Sequence, residues 1–503
     1  MLFNSIDFTF FMPIVFLIYW ALGYYVKAKN ISPLPQNLFL LAASYFFYAW
    51  WDWRFLSLIV ICSLTNYGAG LLLMKNDSND NDRLSKFQKL EKSNARKTIL
   101  TLCCVVCFGI LGVFKYYDFF AAQLIRILPP PHNYLNIRLL HLILPVGISF
   151  YTFHTLSYTI DVYSRKFEPT RDITSFFLFV SIFPLAMAGP IERATNLLPQ
   201  IYKRRTFDYA QATDGMRQIL WGLFKKVVIA DNCAVYVNQI FDTYLTQTGS
   251  ALLLGAIFFA FQIYGDFSGY SDMAIGIGKL LGFKFLNNFR FPYFSRDIAE
   301  FWRRWHISLN TWFRDYLYIP LGGSRGTKWL VVRNTFIIFL VSGFWHGANW
   351  TFIAWGAFHA VLFLPLILLD KNRKNTDTVA ENRILPSLKE LFQMGLTFGL
   401  VVIGWVFFRA ESIHQALEYL SGICSSSLFG LPHTQPRIPI SIYLFIMLLL
   451  GVEWVQRNKQ HGLESFGLKW NKWLRYTFYF IIAFIIVLYS LEGTPSEFIY
   501  FQF

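Results

Sequence analysis

A histidine between two long apolar segments is the first candidate for chemistry in this sequence. His346 stands in GFWHGANW, with LVVRNTFIIFLVS shortly before it and TFIAWGAFHAVLFLPLILL after it. A side chain that titrates near neutral pH is costly at membrane depth unless a partner satisfies it or a reaction uses it. Such a histidine suits general-base catalysis, in which it takes a proton from a reacting hydroxyl. The alternative is a structural histidine that satisfies the loop between two helices.

A second polar group lies upstream, in the run EFWRRWHISLNTWFRDYLYIPLGGSRG. On a helix, His306 lies one turn from both Trp302 and Asn310, so that imidazole, indole and amide form one polar line. Arg303 and Arg304 have two interpretations. Guanidinium groups bind phosphate bidentately, which would make them ligands of a phosphorylated substrate. They are equally suited to anchoring the cytoplasmic face of a membrane protein.

Two acidic residues interrupt the apolar run FQIYGDFSGYSDMAIGIGKLLGF. Asp266 and Asp272 would lie inside a spanning helix, where an acid is rare and usually faces the interior of the bundle. Ser268 shares a helix face with Asp272, and the glycines of this run allow close approach of a neighbouring helix. One interpretation is a polar packing face that holds helices together. The other is direct contact with a substrate.

The composition shows where these residues must be placed. Of the 503 residues, 55% are hydrophobic, 19% are aromatic and only 15% are charged, whereas a globular protein carries about a quarter charged residues. The sequence therefore predicts a polytopic membrane protein of the all-α class.

Apolar runs with lengths near the roughly 20 residues that cross a hydrocarbon core recur along the chain. The clearest are 8–26, 55–74, 138–163, 217–240, 251–281, 328–345, 350–369, 389–408, 440–455 and 475–491, with 38–52 and 98–128 as further candidates. We expect about a dozen transmembrane helices in a single membrane domain over 1–503, with a motif core at about 142–360 and C-terminal helices over 389–503. The first run lacks the basic flank and the cleavage site of a removable signal peptide.

The charge distribution predicts an orientation. The formal net charge is +15, and the basic clusters fall at Lys27 and Lys29 and in the segments 75–97, 202–205, 284–304, 371–374 and 457–475. By the positive-inside rule these segments are cytoplasmic, and 241–250, 346–350 and 492–503 face outward with both termini. The run SFFLFVSIFPLAMAGP then fits as a re-entrant segment that enters and leaves on one side. The basic excess is an orientation signal and does not indicate nucleic acid.

Several classes of site are not indicated. The six cysteines lie mostly in apolar runs, and CCVVC at 103–107 has no second ligand cluster that would complete a metal site. The phosphate loop GxxxxGK[ST] is absent from the sequence. We expect no metal and no bound cofactor.

Six motifs together resemble the membrane-bound O-acyltransferase (MBOAT) family. They are ISFYTFHTLSYTIDVY (148–163), FPLAMAGPI (183–191), YGDFSGYSDMAIGIGKLLGF (264–283), FWRRWHISLNTWFRDYLYIPLGG (301–323), SGFWHGANWTFIAWGAFH (342–359) and GWVFFRA (404–410). The opening MLFNSIDFTFFMPIVFLIYW and the closing FIYFQF are similar to its bacterial branch that O-acetylates alginate and peptidoglycan. The resemblance covers nearly the whole chain.

The resemblance implies a membrane enzyme with short re-entrant or interfacial helices around a funnel that crosses the bilayer. It carries the catalytic histidine onto His346 and the second motif histidine onto His306, and Trp345 and Asn349 of the same motif become candidate substrate contacts. It further implies a cytoplasmic thioester donor such as acetyl-CoA, an exported polysaccharide acceptor, an esterase-like partner protein in the periplasm and a multi-pass location in the bacterial cytoplasmic (inner) membrane.

The chemistry of acyl transfer fits these residues. His346 would take the proton of the acceptor hydroxyl, and His306 or Asn310 would orient the thioester or stabilise developing charge. Two alternatives stay open at this point. One is transfer of D-alanine to teichoic acid, as in a neighbouring branch of the family. The other is a transporter or channel without chemistry, although the chain shows no inverted repeat of the kind that many transporters have.

Overall fold

The structure is a computed structural model that describes residues 1–77, 86–127, 138–432, 434, 437–492 and 498–499. Parts of the predicted basic segment 75–97 and of the closing motif FIYFQF lie outside these residues. Over the described chain the secondary structure is helical without a β-strand, which confirms the all-α prediction.

The chain forms two compact units, and the division cuts across the predicted motif core. The first unit comprises Met1–Ala212 with Gly278–Leu286, and the second comprises Thr213–Ile277 with Asn287–Phe503.

The helices of the first unit come from the N-terminal part of the chain. They are α1 (Ile6–Ala28), α2 (Leu34–Asp52), α3 (Leu56–Asp77), α4 (Lys86–Leu111), α5 (Tyr117–Ile127), α6 (Ile148–Tyr163), α7 (Ile173–Ser181), α8 (Phe183–Ala186) and α9 (Ala194–Tyr202).

The second unit contains α10 (Tyr209–Leu223) from its fifth residue onward, α11 (Asp231–Asp242) and most of α12 (Gly249–Leu280). It continues with α13 (Ile298–Arg304), α14 (Ile307–Phe313), α15 (Lys328–His346), α16 (Trp350–Leu368), α17 (Leu388–Arg409), α18 (Ile413–Ile423), α19 (Ile440–Val455) and α20 (Lys472–Glu492).

Within the described residues, eight stretches are long and apolar enough to cross a membrane, fewer than the dozen expected. They are Ile6–Ala28, Leu34–Met74, Ser93–Ile127, Gly249–Leu280, Lys328–His346, Trp350–Leu368, Leu388–Arg409 and Lys472–Leu491, and the shorter apolar helix Ile440–Val455 adds a ninth candidate. The protein is thus a multi-pass membrane protein.

Breaks in the backbone explain much of the difference between the predicted and the observed number of spanning helices. The predicted run 138–163 becomes helical only at Ile148, because Gly147 has a left-handed φ of 75°. The run 217–240 is divided among α10, a π-helical segment at Phe224–Ala230 and α11. The runs 38–52 and 55–74 form one apolar stretch that is interrupted only by a 3₁₀ turn at Trp53–Phe55.

The segment predicted to be re-entrant forms two short helices, α7 and α8. The helix breaks at Ile182, two residues before Pro184. Nearly all of its side chains are buried, as required where irregular backbone lies among apolar residues. Its entry and exit on one side of the membrane stay a prediction.

Close backbone contact joins α10 to α12 in the second unit. A Cβ on Gly269 would lie 2.7 Å from the carbonyl oxygen of Gly222, and one on Gly276 would lie 2.6 Å from that of Gly215. These positions admit no side chain without movement of the backbone. The predicted role of the glycines in helix packing is confirmed here.

Buried ion pairs fix the same two elements to each other. The Lys225 ammonium lies 2.6 Å from Asp272 Oδ2, and the Lys226 ammonium lies 2.7 Å from Asp266 Oδ1 and 2.9 Å from Asp231 Oδ1. Both lysines belong to the π-helical segment, which widens the turn so that consecutive side chains both reach acidic partners. A charge in this environment requires such a partner.

Removal of one partner should therefore destabilise the protein strongly. We expect Lys225→Met to lower the free energy of unfolding by about 3–5 kcal/mol, since it leaves the Asp272 carboxylate buried without its counter-charge. Thermal unfolding of the purified protein in detergent, followed by tryptophan fluorescence, measures the effect.

The matched control is Lys284→Met, which makes the same change at an exposed lysine and should leave the transition in place. The double variant Lys225→Met/Asp272→Asn should recover most of the lost stability. Equal transitions for Lys225→Met and the control would show that the pair contributes little.

Candidate active site

His306 occupies a strained turn between two short helices. It follows the last residues of α13 and precedes α14, with a left-handed φ of 44° and 1% of its surface exposed. A non-glycine residue in this region costs of order 1–3 kcal/mol, and such strain clusters at functional sites. The expectation of one continuous helix is wrong here, because the chain breaks at Trp305 and His306. Trp302 therefore lies on α13, whereas His306 lies in the turn that precedes α14.

Asn288 holds the His306 ring, and sequence reasoning missed it. The Asn288 amide nitrogen donates to Ser271 Oγ at 3.1 Å, so its carbonyl oxygen faces the histidine. His306 Nδ1 lies 3.0 Å from that oxygen, and the Ser308 hydroxyl donates to it at 2.9 Å. Because an amide oxygen only accepts, Nδ1 carries the hydrogen and Nε2 presents its lone pair. The asparagine stands in an irregular basic segment without a helix period, so no pattern marks it.

Both predicted catalytic histidines contact the indole ring of Trp345. The Trp345 ring centroid is 6.0 Å from that of His306 and 5.0 Å from that of His346. Phe267 of α12 packs edge-on against His306 at 4.6 Å. The structure thus brings His306 of one motif together with Trp345 and His346 of another.

His346 is the last residue of α15 and is 4% exposed. Its ring meets Trp355 and Phe408 edge-on, with centroids 5.1 and 5.3 Å away. The sharp turn that follows depends on Gly347, because a Cβ there would collide with the Phe352 ring. The imidazole therefore lies among aromatic side chains that exclude water.

Asn349 supports this turn. Its side-chain oxygen accepts from the Thr351 N–H at 3.1 Å and so caps α16. Its amide nitrogen donates to the Glu411 carbonyl at 2.9 Å. Both polar groups of the Asn349 side chain, which was predicted to contact a substrate, thus bond to the protein backbone.

A cavity of about 400 Å³ lies in the same unit as the two histidines, neither of which is among its lining residues. Its lining includes Trp302, Arg303, Asn310, Arg314, Ser342 and Arg373. Ser342 precedes His346 by one helical turn on α15, so the cavity reaches the level just below the His346 ring.

The other predicted substrate ligands have protein partners. Arg303 donates to the carbonyls of Asn372 and Asn375 at 2.9 and 2.7 Å, which ties the 372–376 loop to the cavity rim. Arg304 pairs with Glu300 at 2.8 Å and is not among the cavity-lining residues. The Asn310 amide donates to the carbonyls of Trp302 and Trp305.

Asp266 and Asp272 lie in the packing face described above. Besides Lys226, Asp266 accepts from the backbone N–H of Ile499 at 2.6 Å. Asp272 accepts from Gln218 at 2.8 Å in addition to its bond with Lys225. Neither carboxylate lines the cavity, and this arrangement favours the packing interpretation.

The sequence model of the membrane-bound O-acyltransferase family matches residues 11–406. The chain belongs to the MBOAT family. The match covers both histidines and both units, and it identifies an O-acyltransferase, so the alternative of a transporter without chemistry is not retained.

Similar MBOAT proteins cover the full length of the chain. The probable alginate O-acetylase AlgI of Pseudomonas putida is 37% identical over 100% of both chains. The peptidoglycan O-acetyltransferase of Helicobacter pylori is 32% identical over 100% of this chain and 98% of its own. A teichoic acid D-alanyltransferase of Bacillus subtilis is 27% identical over 57% of this chain and 72% of its own.

Burial determines the protonation of His306 in this MBOAT protein. The residue lies in the turn between α13 and α14, outside the spanning helices, and burial lowers its pKa from 6.5 to about 3. The imidazole is therefore neutral at pH 7, in agreement with a lone pair on Nε2.

This shift predicts a pH dependence of stability. The unfolded chain takes up a proton at residue 306 below pH 6.5 and the folded chain does not, so acid favours unfolding until the pH approaches 3. Between pH 7 and pH 5 the contribution of His306 to the free energy of unfolding should fall by about 2 kcal/mol.

Asparagine tolerates the left-handed backbone, so His306→Asn tests this contribution. The variant should lose that part of the pH dependence of stability when thermal transitions are compared at pH 7 and pH 5. His414→Asn changes an exposed histidine and should retain the full slope. An unchanged slope in His306→Asn would show that the ring is protonated in the folded protein.

Proposed function

We propose that this protein transfers an acetyl group from acetyl-CoA, taken from the cytoplasmic side, for O-acetylation of a polysaccharide outside the membrane. The observation that carries the proposal is the convergence of His346 and His306 on Trp345. A cavity in the same unit, with three arginines on its lining, supports it. The full-length similarity to two O-acetyl-transferring relatives supports acetyl as the acyl group.

His346 is the general base of this reaction. It takes the proton from the acceptor hydroxyl as the oxygen attacks the thioester carbonyl, and the proton then passes to the departing thiolate. The surrounding aromatic rings keep water from competing as the nucleophile. A positioned base of this kind contributes typically 10²- to 10⁴-fold to the rate.

His306 orients the substrate. Because Asn288 holds its Nδ1–H, the Nε2 lone pair is the acceptor that His306 offers to a donor substrate, and the amide N–H groups of a CoA-type donor are suitable partners. Asn310, the other candidate for stabilising charge, already directs its amide nitrogen to two backbone carbonyls.

Trp302 supplies the hydrogen bond to the thioester oxygen. It lines the cavity, and its indole N–H is buried without a hydrogen-bond partner among the described residues. A preorganised donor in a dry site stabilises the oxyanion that forms during acyl transfer.

The phosphates of the donor bind at the outer part of the cavity. Arg314 and Arg373 line it together with Arg303, and guanidinium groups match phosphate geometry. Arg303 holds the loop that carries Arg373, and in this proposal it shapes the site, whereas Arg304 anchors α13 through Glu300.

The acceptor is an exported polysaccharide such as alginate or peptidoglycan, and an esterase-like acyltransferase in the periplasm receives the group and completes the transfer. We place the protein in the bacterial cytoplasmic membrane, since its basic segments predict one cytoplasmic face. Transfer of D-alanine has weaker support, because the D-alanyltransferase relatives match little more than half of the chain.

Loss of the general base should abolish transfer. We expect His346→Ala to reduce thioester cleavage by roughly 10²- to 10⁴-fold, while His306→Ala also loses activity through misplacement of the donor. The assay uses the purified protein in liposomes with labelled acetyl-CoA, and it measures thiol release and label transfer to a supplied polysaccharide with the periplasmic transferase present.

The exposed His414→Ala variant serves as the control and should retain activity. Thermal transitions of each variant must match that of the wild type. Folded His346→Ala that cleaves the thioester at the normal rate would overturn the assignment of the base.

The arginine lining should govern affinity for the donor. We expect Arg373→Ala to raise the KM for acetyl-CoA about tenfold or more, since a hydrogen bond to a charged group contributes roughly 1.5–3 kcal/mol, with little change in kcat. Lys371→Ala removes a nearby exposed cation that does not line the cavity and should leave the KM unchanged. Equal effects of the two variants would exclude a specific phosphate contact at Arg373.

A further inference from the structure

A second cavity lies in the first unit and shares no lining residue with the cavity described above. It has a volume of about 460 Å³ and runs along one face of α1, where Phe16, Trp20, Tyr24 and Lys27 follow each other at helical spacing. The other wall is the segment 205–207. The cavity is built from residues of the first unit alone.

The lower part of this cavity is aromatic. The Phe207 ring meets Phe16 and Trp20 edge-on, with centroids 6.0 and 5.4 Å away. The Trp20 indole N–H donates to the Leu280 carbonyl at 3.1 Å, which fixes its ring. The indole N–H of this wall thus already has a hydrogen-bond partner, and the remaining aromatic surface is suited to a hydrocarbon chain.

The upper part carries positive charge without a counter-ion. Arg205 is 8% exposed, and its guanidinium donates to neutral oxygens, those of Gln36, Asn37 and two backbone carbonyls. It also lies over the rings of Tyr19 and Phe283, with 5.7 and 5.0 Å to the ring centroids. Its Nε–H is buried with no hydrogen-bond partner among the described residues. A buried cation that lacks a carboxylate partner favours the binding of an anion.

Two exposed cations add to this charge. Lys27 stands in the last turn of α1 and makes no ion pair within the part of the chain that the structure describes. Arg204, next to Arg205, donates to the side chain and the carbonyl of Asn30, both uncharged acceptors. The positive end of the cavity therefore coincides with the end of a membrane-spanning helix, at the depth of lipid headgroups.

The dimensions define the ligand. Phe16 and Lys27 are separated by 11 positions on α1, which is about 16 Å along the helix axis. A molecule that fills the cavity must be anionic at one end and apolar for most of its length. We propose that this cavity binds one anionic phospholipid, with its phosphate at Lys27 and Arg205 and one acyl chain along Phe16, Trp20 and Phe207.

Native mass spectrometry of the full-length protein tests the proposal, with phosphatidylglycerol and phosphatidylcholine of identical acyl chains as probes. Phosphatidylglycerol should be retained in preference to phosphatidylcholine. Lys27→Gln should weaken phosphatidylglycerol binding about fivefold, the factor that corresponds to one basic residue at an anionic lipid surface. Lys29→Gln changes a nearby exposed lysine that does not line the cavity and should leave binding unchanged.

A third arm separates the lipid from a free phosphate. Glycerol phosphate at millimolar concentration should not displace phosphatidylglycerol, and Phe207→Ala should weaken phosphatidylglycerol while Lys27 is intact. Equal retention of the two lipids, equal behaviour of Lys27→Gln and Lys29→Gln, or displacement by glycerol phosphate would each overturn the proposal. Because Lys27 is exposed, its substitution leaves folding intact, and matching thermal transitions verify this.

Discussion

The neutralisation of charge inside one buried helix is the constraint on which the second unit depends. α12 is mostly buried, and yet it carries Asp266 and Asp272 within its length. A buried carboxylate without a partner would cost several kcal/mol. The π-helical segment after α10 places Lys225 and Lys226 against these acids, and close backbone contacts at glycines hold the two helices in register. The position of α12 is thereby fixed.

The histidine turn takes its geometry from that helix. Ser271 of α12 binds Asn288, Asn288 binds the His306 ring, and Phe267 packs against the ring from the side. This chain of contacts holds a left-handed backbone that would relax in isolation. The unfavourable conformation and the neutral imidazole thus have one cause, since the same burial that fixes the turn also removes the water that would solvate a charge.

His346 carries an imidazole that can exchange a proton, and rigid aromatic side chains surround it. The residue stands at the end of α15, one helical turn after the cavity-lining Ser342. Trp345, Trp355 and Phe408 surround its ring with apolar surface. An acyl thioester hydrolyses if water reaches it, so transfer to a hydroxyl requires such a dry site. A membrane enzyme obtains this dryness from its own aromatic core.

The sequence by itself determined the all-helical class and the family, because hydropathy and linear motifs are local properties of the chain, and it predicted the two histidines from the same motifs. Tertiary structure decided which partners the polar residues have. The sequence left Asp266, Asp272 and Arg304 open between substrate contact and a structural role, and in the structure they pair with Lys226, Lys225 and Glu300. Asn288, which no pattern marks, positions His306. A hydrogen-bond partner is set by distance after folding, and residues 18 or 54 positions apart in the chain meet only when the helices pack.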